Sequence, residues 1–439
     1  MKGNIEENGA FVKRIGLTGR LIFGIVTDRA HCAIEKEKDM LRKQYRRGLV
    51  ALSADPVTYG HIDLVRRAGD KCDEVVVLVA NNDRKKGSYC FPIDKRTEMV
   101  ERAVREASIG NARIVGSSGL LVDVYLREGC DRLFRGVRND KDLDFEKEQE
   151  DLNCQLLHAL TGHVEYLPAA ESLRLVSSTM VKALVELQCN VEKFVPLFVK
   201  QALEERLLRQ YRITITGGIS VGKSWVANEL ARRASSIPTK TATHINIDRL
   251  IRSLYREDSP GAEQVRSALV VHFGSILADN GRDVDRKALA TRLFRAGSVA
   301  EEDRSFVTKL TLPHIERLYR SALAGAEGLV IVEWAQSAEM AMGSWTNNNV
   351  IVVDSDDRAK FAAERGISAE RLAEMDKIQW SVDQKIQHFR SRCARENHGW
   401  TIRHQHAYHP VGDAPTKEID GLFWKILKQM PHLPYYSKH

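Results

Sequence analysis

The sequence has no long apolar run and no paired cysteines, and both absences narrow the classes of protein to which it can belong. No apolar stretch approaches the roughly 18 residues of a membrane span, and Leu21–Val26 is too short and too far along the chain to predict a signal peptide. The seven cysteines are scattered and never form a C-x-x-C pair, which argues against a disulfide framework or a zinc ribbon. These features predict a protein of the reducing cytoplasm with no membrane partner.

The sequence also lacks a large excess of either positive or negative charge. The chain carries 66 Lys and Arg against 59 Asp and Glu, a net charge of +7, with no long basic block. This mild excess fits phosphorylated small molecules at least as well as nucleic acid, and we expect no nucleic-acid partner. With 439 residues, 43% of them hydrophobic, the chain has material for two or three folded domains.

Apolar strands alternate with amphipathic helices in two separate stretches, a pattern that predicts an α/β fold with parallel sheets. The predicted strands are Leu49–Ser53, Asp73–Ala80, Ala112–Gly116 and Arg132–Arg135, then Tyr211–Thr216, Thr243–Ile247, Gly328–Glu333 and Asn349–Asp354. We expect an N-terminal extension of unclear role at 1–48, with a strand at Leu21–Thr27 and a helix-forming run at Arg29–Arg47, then domains at 49–208 and 209–439. The domains are expected to be joined by a helical stretch, Val191–Arg209.

The segment after the first predicted strand carries the first site. It reads Ser53-Ala54-Asp55-Pro56-Val57-Thr58-Tyr59-Gly60-His61, and in an open parallel sheet ligands bind where strand ends meet helix starts. Pro56 stiffens the turn and Gly60 admits a close backbone approach. His61 opens a helix whose free N–H groups favour an anion. The segment therefore predicts a phosphate-binding turn.

Residues 55–68 resemble the signature of phosphopantetheine adenylyltransferase, in the Thr/His-x-Gly-His nucleotidyltransferase superfamily. Further pieces follow in the family's order: Asn82–Lys86, Arg135–Arg138, Asp144–Glu148 and Val176–Lys182. The resemblance covers about residues 49–205. It implies a Rossmann-like nucleotidyltransferase domain that transfers AMP from ATP to 4′-phosphopantetheine, giving dephospho-CoA and pyrophosphate, with Mg²⁺ on the phosphates.

By this resemblance, the substrate's own phosphate attacks ATP, and the protein aligns the two polyanions and neutralises charge. His61, Lys85 and Arg135 are the implied catalytic residues, and Ser53 and Lys85 contact the substrate. The implied ATP-binding residues are Thr58, Gly60, His61, Arg135, Gly136, Arg138, Glu146, Ser177, Ser178 and Thr179. Leu52 stands where the family has glycine, and Lys147 where it has tyrosine.

A second phosphate site is predicted at the start of the second stretch. The run Gly217-Gly218-Ile219-Ser220-Val221-Gly222-Lys223-Ser224 fits G-x-x-x-x-G-K-[ST] between a predicted strand and a predicted helix. Backbone N–H groups of such a loop cradle phosphates, Lys223 reaches the β- and γ-phosphates, and Ser224 is a ligand for Mg²⁺. All eight residues are candidates for ATP binding, and Lys223 is also a catalytic candidate.

Features beyond this loop resemble dephospho-CoA kinase over about residues 211–430. The matching pieces are Ile247–Leu250, His272–Gly274 and Asp285–Phe294. The resemblance implies that Asp248 accepts the proton of a ribose 3′-hydroxyl, that Arg286 contacts the acceptor nucleotide, and that Arg365 is a lid cation. On the residues alone, Asp248 is equally well a strand-end cap or a carboxylate near Mg²⁺.

The second stretch also departs from the family pattern. Leu312 replaces a histidine, Ala335–Glu339 replaces a Pro-Leu-Leu segment, and Phe361 replaces a lid cation. Together the two resemblances imply a bifunctional coenzyme A synthase-like fusion that makes dephospho-CoA and phosphorylates it. Two alternatives stay open: an NAD-pathway adenylyltransferase joined to a kinase, and an adenylyltransferase with a degenerate nucleotide-sensing kinase domain. The resembled adenylyltransferases are often homo-oligomers, so a homo-oligomer is one candidate state.

His404, His406 and His409 form an H-x-H-x-x-H pattern. No nearby cysteine or carboxylate in the sequence completes a metal site. We therefore predict no metal there.

Overall fold

The structure is a computed structural model. It describes residues 43–81, 87–138, 144, 147, 160, 162–236, 241–256, 258–278, 280–293, 298–377, 379–409 and 416–430, with the backbone alone at 286, 287, 290, 298–300 and 416. The predicted strand at Leu21–Thr27, Lys85 and Glu146 lie outside these residues, as does the side chain of Arg286.

The described chain divides into two compact units. The first takes in described residues of Met1–Leu52, Asp63–Ala80 and Ser108–Ala169, and the second takes in those of Ser53–Ile62, Asn81–Ala107 and Ala170–His439. The predicted domain limits at 49–208 and 209–439 stay a prediction.

The first unit contains a five-stranded parallel sheet in the order β3-β2-β1-β4-β5. Its strands are β1 (Tyr45–Leu52), β2 (Cys72–Ala80), β3 (Ala112–Ser117), β4 (Arg132–Val137) and β5 (Val164–Pro168). Apolar side chains of β1, β2 and β4 pack with those of a helix at Leu121–Arg127 into one core. This strand order is that of a Rossmann-like domain, in which ligands bind beyond the carboxyl ends of strands where the order reverses, here between β1 and β4.

The second unit contains a second five-stranded parallel sheet, in the order β10-β9-β6-β8-β7. Its strands are β6 (Gln210–Gly217), β7 (Ala242–Asn246), β8 (Gly328–Glu333), β9 (Asn349–Asp354) and β10 (Trp400–Gln405). All eight residues of β6 are buried, and the strand pairs with β8 and β9. The carboxyl ends of β6, β8 and β7 therefore lie side by side at one edge of the sheet.

Fourteen α-helices lie in the described parts of the chain. They are α1 (Tyr59–Lys71), α2 (Ile93–Glu106), α3 (Leu121–Arg127), α4 (Ser178–Glu186), α5 (Leu197–Leu203), α6 (Lys223–Ser235), α7 (Ile247–Leu254), α8 (Pro260–Phe273), α9 (Arg286–Leu293), α10 (Ser298–Leu323), α11 (Arg358–Glu364), α12 (Ala369–Asp376), α13 (Val382–Arg395) and α14 (Thr416–Lys428). None of the described helices is both long and apolar enough to cross a membrane.

Two predictions of local structure were wrong in part. The helix-forming run predicted to Arg47 does not extend that far, because β1 begins at Tyr45. The helix predicted over Val191–Arg209 is shorter: α5 starts only at Leu197, and a π-helical turn, Glu204–Leu208, follows it. Arg209 has a left-handed backbone with φ 55°, so the helical stretch ends one residue before β6.

Candidate functional site

The turn after β1 holds His61 by four contacts with Thr58. The backbone N–H of Thr58 donates to His61 Nδ1 at 3.1 Å, and the Thr58 hydroxyl lies 3.2 Å from the same nitrogen. Thr58 is 1% exposed, and its carbonyl accepts from the His61 N–H at 3.0 Å. Because Nδ1 accepts a backbone N–H, the neutral imidazole carries its proton on Nε2. His61 is thus set to donate through Nε2, as binding a phosphate oxygen requires.

A buried carboxylate ties this turn to two other segments. Asp55 is 4% exposed and accepts from the N–H groups of Cys90 and Phe91, each at 2.9 Å, and from Lys182 Nζ at 2.8 Å. The Ser178 hydroxyl donates to the Pro56 carbonyl at 2.8 Å. The Thr-x-Gly-His turn and the start of α4 are therefore neighbours.

Ser177 and Ser178, at the start of α4, make different hydrogen bonds. Ser177 is the N-cap of α4 and accepts from the Met180 N–H at 3.1 Å. Ser178 instead donates its hydroxyl to the Pro56 carbonyl in the turn. Thr179 is exposed. Gly60 would meet nothing closer than 3.6 Å if it carried a Cβ, so packing does not require glycine there.

A buried arginine also supports the turn and was missed from the sequence. Arg96, on α2, is 1% exposed. It donates to the carbonyls of Ser53 and Phe91 and to the Asn81 side chain, and it lies over the Tyr89 ring at 4.1 Å. Burial lowers the pKa of Arg96. Ser53 thus enters this network through its backbone carbonyl.

The remaining described candidates of the first domain lie on or after β4. Arg135 and Gly136 are residues of that strand, and Arg138 follows it. A Cβ on Gly136 would meet the Leu64 side chain at 2.9 Å, so a glycine permits close packing of α1 on the strand. The ATP-binding roles of these residues stay predictions.

The phosphate loop of the second unit follows β6 and leads into α6. Gly217 has φ 148°, and a Cβ there would lie 2.1 Å from the Val353 carbonyl oxygen; Gly222 has φ 79°. Both backbone states favour glycine. Lys223 Nζ donates to the Gly218 carbonyl at 2.5 Å. Burial lowers the pKa of Lys223 to about 8, although Asp248 and Glu333 oppose this shift.

A carboxylate that the sequence analysis did not single out completes the loop. Glu333, the last residue of β8, is 3% exposed and accepts the Ser224 hydroxyl at 2.5 Å. Its other oxygen accepts from Asn246 at 2.6 Å and contacts His244 at 3.0 Å. Burial raises the pKa of Glu333, but the hydrogen bonds from His244 and Ser224 outweigh it and hold the pKa below its usual value. A hydroxyl beside a carboxylate is a donor set that suits Mg²⁺.

These groups face a cavity of about 550 Å³. Among the predicted site residues, those that line the cavity are Ile219, Ser220, Val221, Gly222, Lys223, Ser224, Asp248 and Arg365. Asn246, Arg249, Arg252 and Glu333 also line it.

Asp248 lies in the first turn of α7, two residues after the last residue of β7, Asn246. Burial raises the pKa of Asp248, and Lys223 partly offsets the shift. A carboxylate of raised pKa in a cationic cavity is suited to accept a proton.

Residues at which the sequence differs from the kinase pattern make specific contacts in the structure. Lys385, fully buried on α13, binds the Glu339 carboxylate at 2.5 and 2.7 Å and the Ala335 carbonyl at 2.8 Å. Phe361, in the place of a lid cation, packs its ring on His406 at 5.5 Å between centroids. Arg249 and Arg252 supply positive charge at the cavity that sequence reasoning did not identify.

The comparisons with known proteins identify both domains. Residues 53–184 match the cytidylyltransferase-like family, and residues 211–396 match the dephospho-CoA kinase family. Among solved structures, the chain is similar to TT1252 from Thermus thermophilus, at 20% identity over 51% of this chain and 98% of that one, with a TM-score of 0.38. It is also similar to a lipopolysaccharide core biosynthesis protein from Thermoplasma volcanium, at 19% identity over 29% and 97%, with a TM-score of 0.22.

The family matches agree with the two sheets and include both segments that the sequence predicts to bind phosphate. Both domains belong to transferase families that act on small-molecule nucleotide substrates. They support coenzyme A biosynthesis, with adenylyltransferase and dephospho-CoA kinase activities. The chain thus carries a nucleotidyltransferase domain of the cytidylyltransferase-like family followed by a dephospho-CoA kinase domain, consistent with a bifunctional coenzyme A synthase-like fusion.

Proposed function

We propose that the first domain transfers AMP from ATP to 4′-phosphopantetheine. A phosphate oxygen of the substrate attacks the α-phosphorus, the bond from that phosphorus to the bridging oxygen of the β-phosphate breaks, and pyrophosphate leaves with the electron pair. The observation that carries this proposal is the acceptance of the Thr58 N–H by His61 Nδ1. It leaves a proton on Nε2 to donate to an α-phosphate oxygen as negative charge builds there.

The other predicted residues take supporting roles in this step. Lys85 and Arg135 neutralise charge on the two substrates, and the start of α4 at Ser177–Thr179 faces a phosphate with its N–H groups. Arg138 and Glu146 belong to the ATP site, and Ser53 to the pantetheine side. No side-chain nucleophile is required, because the attacking oxygen belongs to the substrate.

We propose that the second domain transfers the γ-phosphoryl group of ATP to the ribose 3′-hydroxyl of dephospho-CoA. Asp248 accepts the hydroxyl proton and the hydroxyl oxygen bonds to the γ-phosphorus. The bond from that phosphorus to the β–γ bridging oxygen breaks, and ADP leaves with the electron pair. Lys223 and Arg365 hold the phosphates, and Arg249 and Arg252 add positive charge at the cavity. Arg286 belongs to the acceptor side. Ser224 and Glu333 would hold Mg²⁺, which when bound neutralises phosphate charge.

A product assay tests both steps. The purified protein is incubated with ATP, Mg²⁺ and 4′-phosphopantetheine, and products are identified by mass. We expect dephospho-CoA first and coenzyme A later. Formation of product from nicotinamide mononucleotide instead would favour the NAD-pathway alternative. Dephospho-CoA that is never phosphorylated, even when added directly with ATP, would make the second domain a nucleotide sensor.

The setting of the reaction forms part of the same proposal. Scattered cysteines with no C-x-x-C pair in the sequence favour the cytoplasm, and the substrates are small molecules rather than nucleic acid or membrane. A homo-oligomer remains a candidate, and its mass in solution is measured by light scattering.

A further inference from the structure

Three histidines and one glutamate meet behind the phosphate loop of the second unit. His404 lies in β10 and His406 directly follows it, so the two side chains share one face of the strand. Their nitrogens, His404 Nε2 and His406 Nδ1, lie 2.8 and 2.9 Å from Oε1 of Glu418. His409 Nε2 lies 3.2 Å from Oε2 of the same carboxylate. The expectation that no carboxylate is near these histidines was wrong, because the first turn of α14 brings Glu418 to them.

Two histidines of the cluster are buried, and one of their nitrogens has no hydrogen bond within the described part of the chain. His404 is 7% exposed and His406 2%. Although His404 Nε2 is 2.8 Å from Glu418 Oε1, the pair lacks hydrogen-bond geometry, and this nitrogen has no hydrogen-bond partner among the described residues. A buried imidazole nitrogen in that condition is costly. A cation bound between this nitrogen and the carboxylate would accept the lone pair and remove that cost.

The donor atoms are close enough to share one ion. One ligand atom each from His404, His406 and Glu418 lies within 4.8 Å of the others. Two imidazoles and a carboxylate without a thiolate form a ligand set that zinc accepts.

We propose that His404, His406 and Glu418 bind one Zn²⁺ ion per chain, with His409 orienting the carboxylate through its second oxygen. A histidine that holds a ligating carboxylate in this way fixes its direction toward the metal. The proposed ion is distinct from the Mg²⁺ of the phosphate site, whose residues are Ser224 and Glu333. The proposal does not depend on the phosphoryl transfer proposed for this domain.

The zinc site has a structural consequence for the phosphate loop. The His406 ring lies between Trp225 and Phe361, with centroids 4.8 and 5.5 Å away. A Cβ on Gly222 would lie 2.3 Å from His406 Cδ2, so the ring packs directly on the loop backbone. A metal bound to Nδ1 fixes this ring and thereby the loop. We expect zinc to stabilise the second unit against thermal unfolding, because a ligand that binds only the folded state does so.

A direct metal titration tests the proposal. The full chain, without a histidine tag, is stripped with a chelator and titrated with Zn²⁺ against a chromogenic chelator in excess Mg²⁺. We expect one zinc per chain, and a loss of affinity of at least about 100-fold in His404→Gln and in Glu418→Gln, because each removes one ligand. His272→Gln is the matched control: this histidine pairs with Asp303 at 3.0 Å, away from the cluster. Its zinc affinity should equal that of the wild type.

Two further measurements separate ligand loss from misfolding. Circular dichroism of the stripped variants should match that of the stripped wild type, and zinc should raise the melting temperature of the wild type but not of Glu418→Gln. X-ray absorption should show nitrogen and oxygen scatterers at about 2.0 Å and no sulfur at about 2.3 Å. Equal affinities in Glu418→Gln and His272→Gln, sulfur ligation, or no zinc retained by a folded wild type would each overturn the proposal.

Discussion

The two predicted phosphate sites of this chain are held in shape by different means. At the first, side chains bind backbone groups: Asp55 accepts two N–H groups, and Arg96 binds two carbonyls. At the second, the loop relies on glycines at positive φ and on a group of charges, the half-buried Lys223 and Asp248 and the buried Glu333. Substitutions of these supporting side chains at the first site should therefore act through stability, whereas the rate at the second site should depend most on pH.

The largest expected effect separates the two reactions. His61→Ala should slow formation of dephospho-CoA by about 10³-fold, because a donor to the developing charge is lost. Phosphorylation of added dephospho-CoA should be unchanged. Asp248→Asn should do the reverse, slowing the kinase step by about 10³-fold through loss of the base. Initial rates of each half-reaction, measured separately on both variants, check this prediction. Loss of both activities in either variant would contradict it.

The next effect concerns stability at the first site. Asp55→Ala leaves the Cys90 and Phe91 N–H groups and the Lys182 ammonium without their partner, so we expect a cost of about 3 kcal/mol. The urea midpoint for loss of adenylyltransferase activity measures it. Asp63→Ala is the matched control. It removes a half-exposed ion pair with Arg67, at 3.0 Å, and should cost under about 0.5 kcal/mol. Similar midpoints for the two variants would show that Asp55 does not hold the turn.

The smallest effect is a pH dependence confined to the second site. The pKa of Lys223 is lowered to about 8, with burial as the main cause. The charged lysine is needed to bind phosphate, so kcat/KM for ATP in the kinase step should fall above pH 8, by up to about tenfold per pH unit. Because the pKa of Asp248 is raised, the fall of kcat/KM on the acid side should occur at a higher pH than for an ordinary aspartate.

Lys223→Arg sharpens this test, because arginine keeps its charge throughout the range. Its kcat/KM should be lower at every pH but should lack the alkaline limb near pH 8. An alkaline limb that persists in this variant belongs to another group. The adenylyltransferase step serves as the internal reference and should lack a limb due to Lys223.

Much of the fold followed from apolar patterning. The strands Gly328–Glu333 and Asn349–Asp354 were predicted to the residue, because each is a continuous apolar run bounded by polar residues. The edge strands β5 and β10 were missed. Their residues are mostly half-buried and mix apolar with polar types, as in Trp400-Thr401-Ile402-Arg403, so they lack the period of a central strand.

The candidate sites were predicted where a local motif carries them. The turn before His61 and the loop before Lys223 are contiguous, so their spacing is visible in the sequence. Lys182 reaches Asp55 across 127 residues, and no local pattern records such a pairing. Glu333 could have been found from the sequence, because it is a carboxylate at the end of a predicted strand. In the structure this strand, β8, pairs with β6, which leads into the phosphate loop. Glu418 left none, because only the packing of α14 on β10 brings it to the histidines.

The central claim is that the two halves of this chain act on ATP at different phosphorus atoms. Radiolabelled ATP tests it directly: two reactions with 4′-phosphopantetheine and Mg²⁺ receive ATP labelled at the α- or at the γ-phosphorus. The account predicts that α-label appears in dephospho-CoA and that both labels appear in coenzyme A, with the γ-label on the ribose 3′-phosphate. If the γ-label is found only in pyrophosphate and unreacted ATP, or if the α-label never enters a pantetheine product, the claim is contradicted.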